Sequence, residues 1–194
     1  LVAAIEKNGG KVLLSTPVLG LEVEAGVVRG VKTASGTVAV DAVIATPALP
    51  MIADWLEPHT SAAYSQSLRQ IEYIANICLV LELDRSLSST YWLNVNDPGF
   101  PFVGVIEHTN FEPTSTYGGR HIVYLSKYLP ESDALYQMGE AEFRDFCVQH
   151  LQRMFPEFQA SWILQSHVWR ATHSQPIVAK HYSQLIPQVE SELK

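Results

Sequence analysis

The feature that most constrains this chain is a run of alternating apolar and polar residues from Val18 to Val40, interrupted by two glycine turns. The turns fall at positions 25–26 (Ala-Gly) and 35–36 (Ser-Gly). Glycine permits the left-handed backbone that a tight hairpin requires, and alternation with a period of two is typical of strands that bury one face. The run therefore predicts a three-stranded antiparallel β-meander.

Two apolar segments without this alternation flank the meander: KVLLST at residues 11–16 and DAVIAT at residues 41–46. Short continuous apolar runs predict strands buried on both faces, as in parallel sheets. A helix pattern that ends at Gly9-Gly10 precedes the first segment, and the helical stretch LPMIADWLEP follows the second. This order predicts part of an α/β nucleotide-binding layer with an antiparallel excursion.

The pattern changes near Pro58, where the short helix SAAYSQSLRQ precedes longer strands separated by turn sequences such as NDPGFP and STYGG. The predicted strands are IEYIANICLVLELD, YWLNV, FPFVGVIEHTN, RHIVYLSKYL and SWILQSHVWRATHSQP. Residues 139–156 place apolar side chains on one stripe of a helix that should cover this sheet. The fold class predicted for the whole chain is α+β, with an α/β remnant at its start.

Composition excludes several classes of protein. Hydrophobic residues make up 47% of the chain and charged residues 17%, and the net charge is −7, which argues against disorder and against nucleic acid or an anionic membrane as a partner. No apolar run reaches the length of a membrane span. Cys78 and Cys147 lie in apolar or helical contexts, which predicts two free buried thiols and a cytoplasmic location. Oligomeric state is left open.

Known catalytic and phosphate-binding motifs are absent from these residues. The sequence contains no G-x-S-x-G, no G-x-G-x-x-G and no Walker A loop. His167, His173 and His181 do not show the spacing of a metal site, and no two carboxylates are paired for acid–base work. We therefore predict no catalytic residue and no metal ligand.

Candidate binding residues come mainly from the aromatic side chains of the second part. Most should pack in the core, but Tyr91, Trp92 and Tyr124 are candidates to line an apolar ligand cavity. His108 is either a site residue or a polar residue on the open face of a strand. Arg170 is either a salt-bridged residue or an anchor for an anionic group.

Thr46-Pro47, at the end of DAVIAT, allows two compatible interpretations. Threonine suits a helix N-cap and proline the first helical position, so the pair can simply start a helix. Alternatively, the carboxyl end of a central parallel strand is where α/β sheets bind dinucleotides.

These elements resemble the middle segment of FAD-dependent amine-oxidase-like flavoproteins, a superfamily that includes protoporphyrinogen oxidases and phytoene desaturases. The resemblance is strongest in residues 1–50, through the helix, NGGKV, the step Val18–Leu21, the meander with GVVRGV, and DAVIATPALP. VWRATHSQP resembles the strand before the C-terminal flavin motif, although RATHSQP replaces the usual run with Gly and Tyr.

The resemblance implies an FAD site whose other parts lie elsewhere in a full-length protein. Val18 would meet the adenine through its backbone, Thr46-Pro47 would lie beside the dinucleotide, and Trp169 near the flavin. The implied domains are a partial FAD-binding domain at residues 1–57, a substrate-binding domain at 58–175 and a return segment at 176–194.

The function implied is that of a central fragment of an FAD-dependent oxidoreductase. Such an enzyme oxidises a C–N or C–C bond of a largely apolar small molecule, amine, isoprenoid or porphyrin-like, by hydride transfer to flavin. The missing initiator methionine leads us to expect a piece of a longer protein, and the missing phosphate loop leads us to expect that this fragment alone is inactive and retains no FAD. The alternative is a non-catalytic α+β module that binds a small ligand or a partner.

Overall fold

The computed structural model describes all 194 residues and divides into two compact units. Unit 1 comprises residues 1–72 and 178–194, and unit 2 comprises residues 73–177. Each unit has its own cluster of buried apolar side chains.

Unit 1 contains three helices and a three-stranded antiparallel sheet in the order β1-β2-β3, which confirms the predicted meander. The turn between the first two strands holds Ala25 and Gly26 at φ of 50° and 77°, the two left-handed residues of a type I′ hairpin. The elements are α1 (Val2–Lys7), β1 (Val18–Glu24), β2 (Val27–Thr33), β3 (Gly36–Ala39), α2 (Leu49–Leu56), α3 (Ala62–Leu68) and a 3₁₀ turn (Tyr182–Gln184).

The predicted glycine end of the first helix is confirmed. Gly9 adopts a left-handed φ of 81°, and the N–H of Gly10 donates to the carbonyl of Ile5 at 2.9 Å. This is the Schellman arrangement, which satisfies carbonyl groups at a helix C-terminus.

The two flanking strands predicted at residues 11–16 and 41–46 are wrong, because both segments are irregular and largely exposed. Leu14 is 81% exposed and Ile44 is 92% exposed. A strand needs a neighbour to pair its N–H and C=O groups, and the three meander strands pair only with one another. An apolar run therefore predicted a strand for which these 194 residues supply no partner.

The helix-start interpretation of Thr46-Pro47 is also wrong. Helix α2 begins at Leu49 with Ala48 in the N-cap position and no side-chain cap. Pro50 occupies the first turn of the helix, where a missing N–H costs nothing.

Unit 2 is built on a five-stranded sheet in the order β5-β6-β7-β4-β8, in which every neighbouring pair is antiparallel. The predicted strands and the long helix are confirmed. The elements are β4 (Tyr73–Leu83), β5 (Trp92–Asn94), β6 (Gly104–Glu107), β7 (His121–Leu129), α4 (Ala134–Gln137), α5 (Glu140–Met154) and β8 (Ile163–Pro176), with 3₁₀ turns at His108–Asn110, Thr114–Tyr117 and Ala160–Trp162.

The two faces of this sheet have different environments. On β4, every second residue from Ala75 to Leu83 is buried. These residues share one core with the buried side of α5, where Phe143, Cys147 and Leu151 are fully buried. Because successive strand residues point to opposite faces, the residues of β4 between them lie on the other face, where they are half-buried.

Candidate functional site

The candidate site is the face of the unit 2 sheet opposite α5, called the open face below. Strand register defines two adjacent rows of side chains across all five strands of this face. The first row is Trp92, Ile106, Tyr124, Val80 and His167. The second row is Asn94, Gly104, Ser126, Cys78 and Trp169.

The open face brings together three residues that the sequence nominated separately. Trp92 and Tyr124 lie in the first row. Trp169 lies in the second row, two residues after His167 on the same face of β8. The rings of His167 and Trp169 are 6.5 Å apart between centroids. Trp92 is 54% exposed and Trp169 is 64% exposed, so both indoles present apolar area to whatever covers this face.

Tyr91 extends this surface at the β5 edge of the sheet. Its ring centroid lies 6.3 Å from that of Trp92 and 5.3 Å from that of Phe111. Phe111 is 71% exposed, and the sequence analysis did not select it. We call Tyr91, Trp92 and Phe111 the aromatic patch.

His108 lies next to Tyr124 and is held by a hydrogen bond. Its Nε2 is 2.7 Å from the hydroxyl of Tyr117, and its ring centroid is 5.8 Å from that of Tyr124. Burial, and secondarily the neighbouring Tyr117, raises the pKa of Tyr124. The Tyr124 hydroxyl therefore stays protonated at neutral pH and can donate a hydrogen bond.

Arg170 lies apart from the other candidates because it follows Trp169 by one residue and so points to the covered face. Its register partner on β4 is the fully buried Ile77. Arg170 Nε donates to the carbonyl of Tyr136 at 2.8 Å, and a terminal nitrogen donates to the carbonyl of Met138 at 2.6 Å. The guanidinium thus fastens the segment between α4 and α5.

The cofactor candidates lie in unit 1. Val18 opens β1 and is 36% exposed, and the pairing of β1 with β2 shifts by one residue immediately after it. Thr46 is exposed and Pro47 is half-buried in the irregular segment before α2.

Unit 1 also contains a hollow of about 670 Å³. It is lined by residues 41–45, by apolar side chains of α2 and α3, and by the segment 186–194. Val18, Thr46 and Pro47 are not among the lining residues.

The segment 186–194 is tied to the rest of unit 1 by polar contacts. The Glu192 carboxylate accepts hydrogen bonds from the backbone N–H and the hydroxyl of Ser61, both at 2.6 Å. These hydrogen bonds lower the pKa of Glu192. The backbone of Lys194 pairs with Val28 and Gly26 at 2.9 Å.

Glu107 is a residue whose role the sequence analysis missed. It is 1% exposed, and its carboxylate holds the loop that leads into the aromatic patch. The available signal was its position in VGVIEH, two residues after Val105 and hence on the covered face of β6.

No three His, Cys, Asp or Glu side chains gather in an arrangement that could hold a metal ion. No helix combines the length and the apolar character needed to cross a bilayer.

Solved structures from several organisms share this fold. A protein assigned as a protoporphyrinogen oxidase from Exiguobacterium sp. 255-15 aligns over 94% of this chain and 41% of its own length, with a TM-score of 0.68 and 16% identity. An oxidoreductase from Methanosarcina mazei aligns over 88% and 40%, with a TM-score of 0.64 and 21% identity.

The glycerol-3-phosphate dehydrogenase from Bacillus halodurans, solved in complex with FAD, aligns over 90% of this chain and 33% of its own length, with a TM-score of 0.51 and 14% identity. The chain therefore spans about two fifths or less of these structures. The search of curated proteins found no match. The model of the family described as flavin containing amine oxidoreductase matches residues 1–192, and the chain belongs to this family.

Proposed function

We propose that this chain is the central part of an FAD-dependent oxidoreductase and that the open face of unit 2 is the floor of its substrate pocket. The observation that carries the proposal is the family match over residues 1–192. An uncovered sheet face with aromatic side chains in adjacent rows supports it, because rigid aromatic walls give contact area at little entropic cost.

The residues of the open face would bind and orient an apolar substrate and exclude water from it. Tyr91, Trp92 and Tyr124 would contact its apolar surface. His108, fixed by Tyr117 at 2.7 Å, would offer a polar contact at the margin. When bound, FAD would supply the two-electron acceptor: a substrate C–H bond would give up its hydride, the adjacent C–N or C–C single bond would become a double bond, and a proton would leave the neighbouring nitrogen or carbon. Trp169 would lie towards the flavin.

The fit of unit 1 to FAD is partial. Residues 11–16 and 41–46, which flank the meander, are irregular and have no strand partner in this chain. In this proposal Val18, Thr46 and Pro47 contact the adenosine half of the cofactor. The sequence contains no glycine-rich loop for the pyrophosphate, so the phosphates would be held by other residues of the full-length protein.

The domain assignment is part of the same proposal. Residues 1–57 would belong to the FAD-binding domain, residues 58–175 to the substrate-binding domain and residues 176–194 to a return segment. The cytoplasmic location stays a prediction from the two free cysteines.

The test is to purify the full-length protein that contains this chain and to identify any chromophore released on denaturation. We expect one FAD per protein, and anaerobic bleaching of its absorbance by an oxidisable apolar amine or polyene. A colourless protein, together with upstream sequence that lacks G-x-G-x-x-G, would favour the alternative of a non-catalytic binding module.

The open-face assignment needs its own comparison. Trp169→Leu should weaken substrate-dependent bleaching. Leu164→Ala is the control: Leu164 is also exposed (57%) and also lies on β8, but it is outside both rows, so its replacement should leave the bleaching unchanged. Equal effects of the two substitutions would refute the assignment. The isolated 194 residues should bind no FAD, because the amide groups that hold its phosphates are absent from them.

A further inference from the structure

Glu107 is the only charged residue in the buried set of the structure, at 1% exposed. It ends β6 on the covered face, where its register partner is the fully buried Val123. Burying a carboxylate is strongly unfavourable unless hydrogen bonds compensate for the lost water. The positions of its donors therefore indicate what this carboxylate does.

The donors to Glu107 come from one loop, residues 86–88, between β4 and β5. Oε1 accepts the N–H of Leu87 at 3.0 Å and lies 2.7 Å from the hydroxyl of Ser86. Oε2 accepts the N–H of Ser88 at 2.7 Å. On the strand side, His121 Nδ1 lies 3.7 Å from Oε1 and is buried without a hydrogen-bond partner.

Asn110 holds the next part of the same loop. Its side-chain amide donates to the carbonyl of Ser88 at 2.9 Å and to the carbonyl of Thr90 at 3.1 Å. The N–H of Thr90 donates to the Ser88 hydroxyl at 3.1 Å. Glu107 thus holds N–H groups of the loop 86–90, and Asn110 holds carbonyl groups of the same loop.

This loop leads directly into the aromatic patch. Tyr91 follows Thr90, and Trp92 opens β5, where its indole N–H donates to the Asn94 side chain at 2.8 Å. Tyr91 and Trp92 are 39% and 54% exposed. Side chains that are exposed yet held in place bind ligands with a smaller loss of entropy than mobile ones.

We propose that Glu107 is a positioning residue for substrate binding: its carboxylate fixes the loop 86–90 and so sets the positions of Tyr91 and Trp92. The inference rests on the proposed function of the open face as a substrate floor. Glu107 itself does not touch the substrate, since it lies on the covered face. The substrate class it favours is a flat apolar molecule that packs against the aromatic patch.

Glu107→Gln is the informative substitution because it keeps the size of the side chain. Each carboxylate oxygen accepts one backbone N–H, so a glutamine turned either way places its NH₂ group against Leu87 N–H or Ser88 N–H. One buried donor is then unsatisfied, which opposes the closed loop. Glu112→Gln is the matched control, because Glu112 is exposed and makes no side-chain hydrogen bond to the loop.

The first readout needs no flavin. Arg85 opens the loop and its side chain is 58% exposed, so trypsin cleavage after Arg85 reports opening of residues 86–90. In the full-length protein we expect cleavage there to be on the order of tenfold faster in Glu107→Gln than in the parent or in Glu112→Gln. Equal rates in Glu107→Gln and Glu112→Gln would show that Glu107 does not hold the loop 86–90.

The second readout is steady-state kinetics of the flavin-loaded protein with an oxidisable apolar substrate. Glu107→Gln should raise KM on the order of tenfold with kcat nearly unchanged, since it alters substrate binding and no reacting group. Faster cleavage with unchanged KM would overturn the positioning role.

A colourless protein whose upstream sequence also lacks G-x-G-x-x-G would refute the proposed function, and with it the substrate-positioning role, while the cleavage result would still decide whether Glu107 holds the loop. Should Glu107→Gln fail to fold, Asn110→Ala at an exposed position removes the hydrogen bonds to Ser88 and Thr90. This substitution should also speed the cleavage and raise KM. Unchanged cleavage would show that the loop 86–90 is not held by these contacts, and faster cleavage with unchanged KM would overturn the positioning role.

Discussion

Replacing Arg170 by methionine should destabilise unit 2 rather than selectively weaken ligand binding. The guanidinium donates to the carbonyls of Tyr136 and Met138 at 2.8 and 2.6 Å and lies over the Tyr136 ring at 5.9 Å. Methionine keeps the aliphatic contact with the ring and removes both donors.

The magnitude follows from these two hydrogen bonds. A hydrogen bond to a charged group contributes about 1.5–3 kcal/mol, and the Arg170 side chain is 24% exposed, so we take the lower end for each bond. The expected loss in free energy of unfolding is about 3 kcal/mol. The contact to Glu140 at 4.0 Å adds little, because Glu140 is 74% exposed. Arg170→Lys keeps a cation that can donate to at most one of the two carbonyls, so the loss in free energy of unfolding should be about half as large.

The assay is urea unfolding of the 194-residue chain followed by tryptophan fluorescence, since Trp92, Trp162 and Trp169 all lie in unit 2. A loss below about 1 kcal/mol for Arg170→Met would refute the fastening role. Unchanged stability together with weaker binding of an acidic ligand, and unaltered binding of its neutral analogue, would restore the anion-anchor interpretation of Arg170.

Three other predictions test burial and linkage. Burial raises the pKa of Cys78 from 9.0 to about 11 and is the main cause that raises the pKa of Cys147 to about 12. At pH 8 the thiolate fraction of Cys78 therefore falls by roughly a hundredfold. Both thiols should resist a disulfide reagent until urea unfolds the chain, and fast labelling of the native protein would contradict this. The pKa of Glu192 is lowered in the folded chain, so its contact with Ser61 is fully present above the pKa of an unfolded glutamate, about 4.3. The contact is lost as the pH falls through the lower, folded pKa. The NMR signal of the Ser61 amide should therefore shift over that pH range, and this shift should be absent in Glu192→Gln. Phe143→Ala, at a fully buried site, should lower the free energy of unfolding by about 3–5 kcal/mol in the same urea assay, and a loss under about 1 kcal/mol would show that the helix does not cover the sheet.

Local patterns predicted most of unit 2 and the meander of unit 1. The alternation and the glycine turns of residues 18–40 depend on neighbours along the chain, and so does the apolar stripe of α5. The strands predicted at residues 11–16 and 41–46 failed for a non-local reason. A strand forms only beside another strand, and the structure supplies none for either segment.

The candidate site was predicted in composition but not in arrangement. Trp92, Tyr124 and Trp169 were nominated as aromatic side chains, and register then placed them on one face. Arg170 was nominated because it is next to Trp169, but adjacent residues of a strand point to opposite faces, so Arg170 lies on the covered face. Glu107 was not nominated, since its partners lie about twenty residues earlier in the chain.

The amino-acid sequence by itself determined the hairpins, the helix stripe and the family, because each is written in residues that are close together or in matching order. Only the tertiary structure decided which side of the sheet is open and which side chains are neighbours there. That choice depends on the antiparallel register of β4 with both β7 and β8. A slip of one residue would exchange the two faces, and this register joins β4 to strands that lie far from it along the chain.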